Sequence, residues 1–91
     1  MDASLLDPSE TKYQVGLSQT SFALGKLKLA ERYANIVLRN DPDLIEAELI
    51  LALVLNRYGK KQLAEKRFLD LIELQPSNKK LFLNYAKFLE Q

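Results

Sequence analysis

The stretch Gly59-Lys60-Lys61-Gln62-Leu63-Ala64-Glu65-Lys66-Arg67-Phe68-Leu69-Asp70-Leu71-Ile72-Glu73-Leu74-Gln75-Pro76 decides how this chain folds. It opens on a glycine and closes on a proline. Between them, Leu63, Ala64, Phe68, Leu71 and Ile72 fall at the one-, three- and four-residue steps of a helix with one buried stripe. The glycine ends the preceding helix, because it enters the left-handed region without steric cost. The proline stops the following helix, because it lacks an N–H and clashes with the preceding turn.

Outward from this stretch the same punctuation returns. Pro8, Pro42 and Pro76 are spaced by 34 residues, and so are Gly25 and Gly59. In that register Ser18, Ala52 and Ala86 form a column of small residues. Ala30 falls on Ala64, Leu29 on Leu63, Val37 on Leu71, and Leu17 on Leu51 and Tyr85. Each unit reads helix, glycine turn, helix, proline turn, which predicts helices over 9–24, 26–40, 43–58, 60–75 and 77–91. Asp43 and Glu46 have the spacing of a capping box. Lys66 and Asp70 are a same-face pair worth a few tenths of a kcal/mol. No stretch alternates as a strand does. Small residues on the first helix of each pair, facing Ala30 and Ala64 on the second, let the axes approach to about 8–10 Å. Leu24, Leu51, Leu55, Tyr58, Leu63, Phe68, Leu71 and Ile72 are expected to fill the space between pairs. Gly16, inside a helix, costs about 1 kcal/mol against alanine and points to close packing or plain tolerance.

Composition removes whole classes of function. The chain has 91 residues, the size of one small domain, with 13 Lys+Arg against 12 Asp+Glu. So even a balance argues against a nucleic-acid partner and against a polybasic membrane-surface segment. There is no cysteine and no histidine, hence no disulfide, no thiolate or imidazole metal ligand, and no nucleophile–base pair built on either. Lys60-Lys61 after Gly59 lacks the glycine spacing of a phosphate loop. The expectation is a non-enzyme with no cofactor, no metal and no membrane span. The start, Met1-Asp2-Ala3-Ser4-Leu5-Leu6-Asp7, lacks a secretory pattern. The compartment is cytoplasmic by default, and periplasmic if a leader has been removed.

The punctuation and its columns resemble the tetratricopeptide repeat (TPR), which has a 34-residue period. Gly59, Ala64, Phe68 and Pro76 match that family's pattern in the second unit. The first unit keeps Gly25, Ala30 and Pro42 but has Ala34 at the aromatic position. The family's tryptophan position falls on Gln14, Glu48 and Phe82, and its first-helix glycine on Ser18, Ala52 and Ala86. The resemblance implies an all-α right-handed superhelix of stacked antiparallel helix pairs: about two and a half repeats, five helices, one domain. Within 1–91, residues 1–8 are a leader or the end of a preceding repeat, 9–42 and 43–76 are repeats, and 77–91 are a half repeat or capping helix.

The resemblance also implies that the first helix of each pair lines a concave face. Carried onto this sequence, the groove residues are Lys12, Val15, Gln19 and Phe22; Glu46, Leu49, Leu53, Asn56 and Arg57; and Lys80, Leu83 and Lys87, with Glu90 beyond. In 44–55, Ala47, Leu51, Val54 and Tyr58 make one stripe, while Leu49, Ile50 and Leu53 make a second. Packing within the array explains the first stripe. The second either lines an apolar groove or belongs to the core between units. An apolar groove with a charged rim suits a partner's amphipathic helix or peptide, so the expected function is a protein-interaction scaffold. Some family members clamp the C-terminal carboxylate of chaperones; the matching positions Val15, Gln19, Ile50, Lys80 and Asn84 keep only the lysine, which argues against that mode.

Leu81, Phe82, Leu83, Tyr85, Phe88 and Leu89 spread around much of the last helix, which calls for cover on most sides. The alternative function is therefore a self-associating module, in which Leu49, Leu53 and the C-terminal helix form a homo-oligomer interface, or a fragment of a longer assembly protein. The run 78–89 is similar to stretches in bacterial repeat proteins that assist pilus secretin assembly.

Overall fold

A computed structural model describes residues 8–90, with side chains from Glu10 onward. The expected leader or preceding-repeat segment falls almost wholly outside these residues. Five α-helices follow one another: α1 (Pro8–Ala23), α2 (Leu27–Asn40), α3 (Ile45–Arg57), α4 (Lys61–Leu74) and α5 (Lys79–Leu89). The described residues contain no strand.

The breakers act as their chemistry dictates. Gly25 and Gly59 take φ of 79° and 83°, the left-handed region that favours glycine. Around each, an N–H reaches back five residues: Lys26 to the Ser21 carbonyl at 2.8 Å, and Lys60 to the Leu55 carbonyl at 2.9 Å. These bonds satisfy carbonyls left over at the helix ends. At the prolines, Leu44 N–H donates to the Asp41 carbonyl (3.2 Å) and Asn78 N–H to the Gln75 carbonyl (3.1 Å). Glycine turns and proline turns thus each recur with the same hydrogen bonds 34 residues on.

That proline turn overturns the expected capping box. It carries the chain one residue further, so α3 starts from Leu44, which has no side chain able to cap, and Asp43 stays in the turn. The corresponding position before α5 is Asn78, whose side-chain oxygen accepts from Leu81 N–H at 3.2 Å.

Helices α1, α2, α3 and α4 pack on their neighbours in chain order, and α5 packs on α4. Helix α1 also packs directly on α3, whereas α3 and α5 approach less closely. Two cores result. The first holds Ala30, Ala34 and Val37 of α2 against Ala47, Ile50 and Val54 of α3. The second joins Leu49 and Ala52 of α3, Ala64, Phe68 and Leu71 of α4, and Leu81 and Phe88 of α5. Helix α3 serves both. Phe68 anchors the second core, with its ring centroid 5.7 Å from Tyr85 and 5.2 Å from Phe88.

Several expectations about the core are corrected. Ser18, Ala30, Ala52 and Ala64 are buried small residues as expected, and the Ser18 hydroxyl donates to the Val15 carbonyl at 2.7 Å. Ala86, the third member of the column, is exposed because no helix of the described residues lies on that side of α5. Leu24, Tyr58 and Leu63 are exposed rather than core-filling. Leu24 and Tyr58 sit at the turns beside the glycines, past the helix contacts, and Leu63 lies on the wall of an open cleft. An added Cβ at Gly16 would meet nothing within 4 Å, so this glycine reflects tolerance and not close approach. Arg67 of α4 pairs between helices with Glu48 at 2.7 Å, and the expected Lys66–Asp70 pair does not form.

Candidate functional site

Helical periodicity sets the candidate groove residues in one row along each of α1, α3 and α5. The structure joins these rows at two places. At one end the Arg57 guanidinium lies 4.8 Å above the Phe22 ring centroid, a cation–π contact that ties the end of α3 to the end of α1. Near the starts of α3 and α5, Glu46, Leu49 and Lys80 line one side of a cavity of about 220 Å³, with Leu44, Asn78 and Leu81.

The apolar members sit deeper than expected. Leu49 is only 5% exposed, enclosed by α4 and α5 in the second core, and Ile50 is enclosed in the first. The stripe expected to line a groove is therefore mainly core. Leu53 is half-buried against the second core, and Val15 and Phe22 are half-buried against the first. Leu83 is the one apolar member left fully open. The exposed remainder is polar: Lys12, Gln19, Glu46, Arg57, Lys80 and Lys87, with Asn56 partly buried. Four cations against two carboxylates, Glu46 and Glu90, give this surface a mildly positive character, which the near-neutral total charge conceals.

Of the carboxylate-clamp positions, Ile50 is buried and the Asn84 amide donates to the Lys80 carbonyl at 2.8 Å. Neither is presented as a clamp requires. No cluster of three or more acidic side chains able to hold a metal ion exists among the described residues. No helix among them is long and apolar enough to cross a membrane.

Sequence reasoning missed an open cleft of about 710 Å³ between the start of α3 and the outer side of α4. Ile45, Glu48 and Leu55 line it from α3, and Leu63, Arg67 and Leu74 from α4. The signal is the spacing of Leu63, Arg67 and Leu74 on one side of α4, of which only Leu63 is expected in the interior.

On the far side of α4, Tyr85 of α5 donates its phenol to the Glu65 carboxylate at 3.1 Å. Partial burial raises the Tyr85 phenol above its ordinary value, and the hydrogen bond and negative charge of Glu65 raise it further. Comparison with known proteins finds no matching family model, no matching curated protein and no matching solved structure.

Proposed function

We propose that this chain is a non-catalytic interaction scaffold of the TPR type. Its helix pairs form a short superhelix that holds a partner helix or peptide along α1, α3 and α5. One observation carries the reading: the glycine and proline turns repeat their hydrogen bonds at the family's 34-residue period. The same backbone geometry is thus used twice to reverse the chain, the condition for stacked units. Rigid stacked hairpins present a preformed surface, so a partner loses ordering entropy while the scaffold loses little.

The surface favours a particular partner chemistry. Lys12, Arg57, Lys80 and Lys87 flank the half-buried Val15, Phe22 and Leu53 and the exposed Leu83. A helix with an apolar stripe and acidic flanks meets both features. The test is selection of binders from a library of amphipathic helical peptides, followed by mapping of backbone amide shifts. Perturbations along Lys12, Gln19, Arg57 and Lys87, with at least roughly tenfold weaker binding by an Arg57→Glu/Lys87→Glu variant, are expected. Binders that perturb only the cleft beside α4, or none at all, would overturn it.

A further inference from the structure

The 34-residue register gives every residue on the outer side of α5 a counterpart in α3. Phe82 corresponds to Glu48, Leu83 to Leu49, Ala86 to Ala52 and Leu89 to Leu55. On α3 this side is covered: Leu49 and Ala52 are buried with Ala64, Phe68 and Leu71 of α4, Leu55 packs against them, and Glu48 is paired with Arg67. On α5 it is bare. Phe82, Leu83 and Leu89 are 45%, 63% and 58% exposed, and Ala86 lies open between them. The opposite side of the same helix, Leu81, Tyr85 and Phe88, already packs on α4. So α5 is apolar on two sides, and among the described residues only one of them is covered.

The interior pair also states what can cover such a side: a following helix that brings its own alanine into the shared core, as Ala64 and Ala52 are buried in one cluster. α5 carries that pattern itself. Leu83 and Leu89 lie three residues to either side of Ala86, so the apolar row reads the same in both directions. A two-fold axis through Ala86 sets Leu83 of each copy against Leu89 of the other. Charge selects the same antiparallel arrangement. Lys79 and Lys80 stand at the N-terminal end of α5 and Glu90 at its C-terminal end. Antiparallel pairing brings the lysines of one copy to the partner's Glu90 and to the negative end of its helix. Parallel pairing would stack the lysines on one another.

We infer that the outer side of α5 is a docking surface for a second copy of this chain, forming a two-fold antiparallel α5–α5 pair. One helix face per copy is less than the ~800 Å² a side of a standard interface, so the dimer is weak and concentration-dependent. This surface shares Leu83 and Lys80 with the groove reading, so the test leaves Leu83 unchanged and reads self-association rather than peptide binding.

Sedimentation equilibrium over roughly a hundredfold concentration range, up to about 1 mM, should show monomer passing to dimer. Leu89→Lys should abolish dimerisation while helicity by circular dichroism stays unchanged, because Leu89 touches no core. Glu90→Lys should weaken the dimer about tenfold, and adding Lys79→Glu/Lys80→Glu should restore it. A monomer at every concentration overturns the proposal. So does a dimer that survives Leu89→Lys, which would place the interface elsewhere. Failure of the charge reversal to restore pairing overturns the antiparallel register.

Discussion

Residues of α3 and α5 correspond at a spacing of 34, yet their side chains meet opposite fates. Leu49 is 5% exposed and its counterpart Leu83 is 63% exposed. Ala52 is buried and Ala86 is open. The residues are alike; the difference is that α4 follows α3 and covers it, while no described helix plays that part for α5. Burial in this chain is thus a property of which helix follows as much as of residue type. An isolated helix sequence cannot distinguish a residue that lines a surface from one that a later element will cover.

This contrast is broken most sharply at the paired leucines. Leu49→Asp sets an unpaired carboxylate in the second core and is expected to cost about 5 kcal/mol, enough to unfold a domain of this size. Leu83→Asp should change stability by less than about 0.5 kcal/mol. Urea titrations of both variants decide the matter, and equal midpoints would dissolve the distinction. Next in size, Phe68→Ala should cost about 3–5 kcal/mol. It should also release α5, because the Phe68 ring is the shared neighbour of Tyr85 and Phe88. Retention of the near-ultraviolet tyrosine signal in that variant would argue that α5 is held by something else.

Smaller effects test the turns. Gly25→Ala and Gly59→Ala should each cost about 1 kcal/mol from positive φ alone, since an added Cβ meets nothing within 4 Å at either site. Thermal melts giving clearly unequal losses would mean that the two turns are not equivalent. Asn78→Ala should cost about 1 kcal/mol by removing the cap on α5, a cost with no parallel at Leu44.

The smallest effect is a pH dependence. Folding raises the Tyr85 phenol above its ordinary value near 10, so the folded state favours the protonated form. Its contribution is complete below the unfolded-state value and fades as pH climbs through the higher folded-state value. Between about pH 9 and 11 the parent should therefore lose slightly more stability than Tyr85→Phe. Parallel curves would remove Tyr85 from the account.

The five helices were legible because glycine and proline act locally, through φ and a missing N–H, and need no knowledge of the rest of the chain. The small column at Ser18 and Ala52 was legible for a related reason: close helix approach tolerates few residue types. The fate of Leu49 was not, because a second apolar stripe on α3 fits both an open groove and a core, and the packing of α4 and α5 decides which. The cleft beside α4 was hidden by the same ambiguity, with Leu63 assigned inward on hydrophobicity alone. The Asn78 cap went unread because the shift of one residue at each proline turn depends on a backbone hydrogen bond that leaves no mark in side-chain spacing.

One last consequence follows from α3 being common to both cores, with Ala47, Ile50 and Val54 on one side and Leu49 and Ala52 on the other. Opening either core therefore strips one side of α3. Breathing motions should fray the outermost helices first and reach the middle one only when everything opens together. The slowest amide protons to trade with heavy water should therefore cluster in α3, making it the keystone of a single cooperative melt.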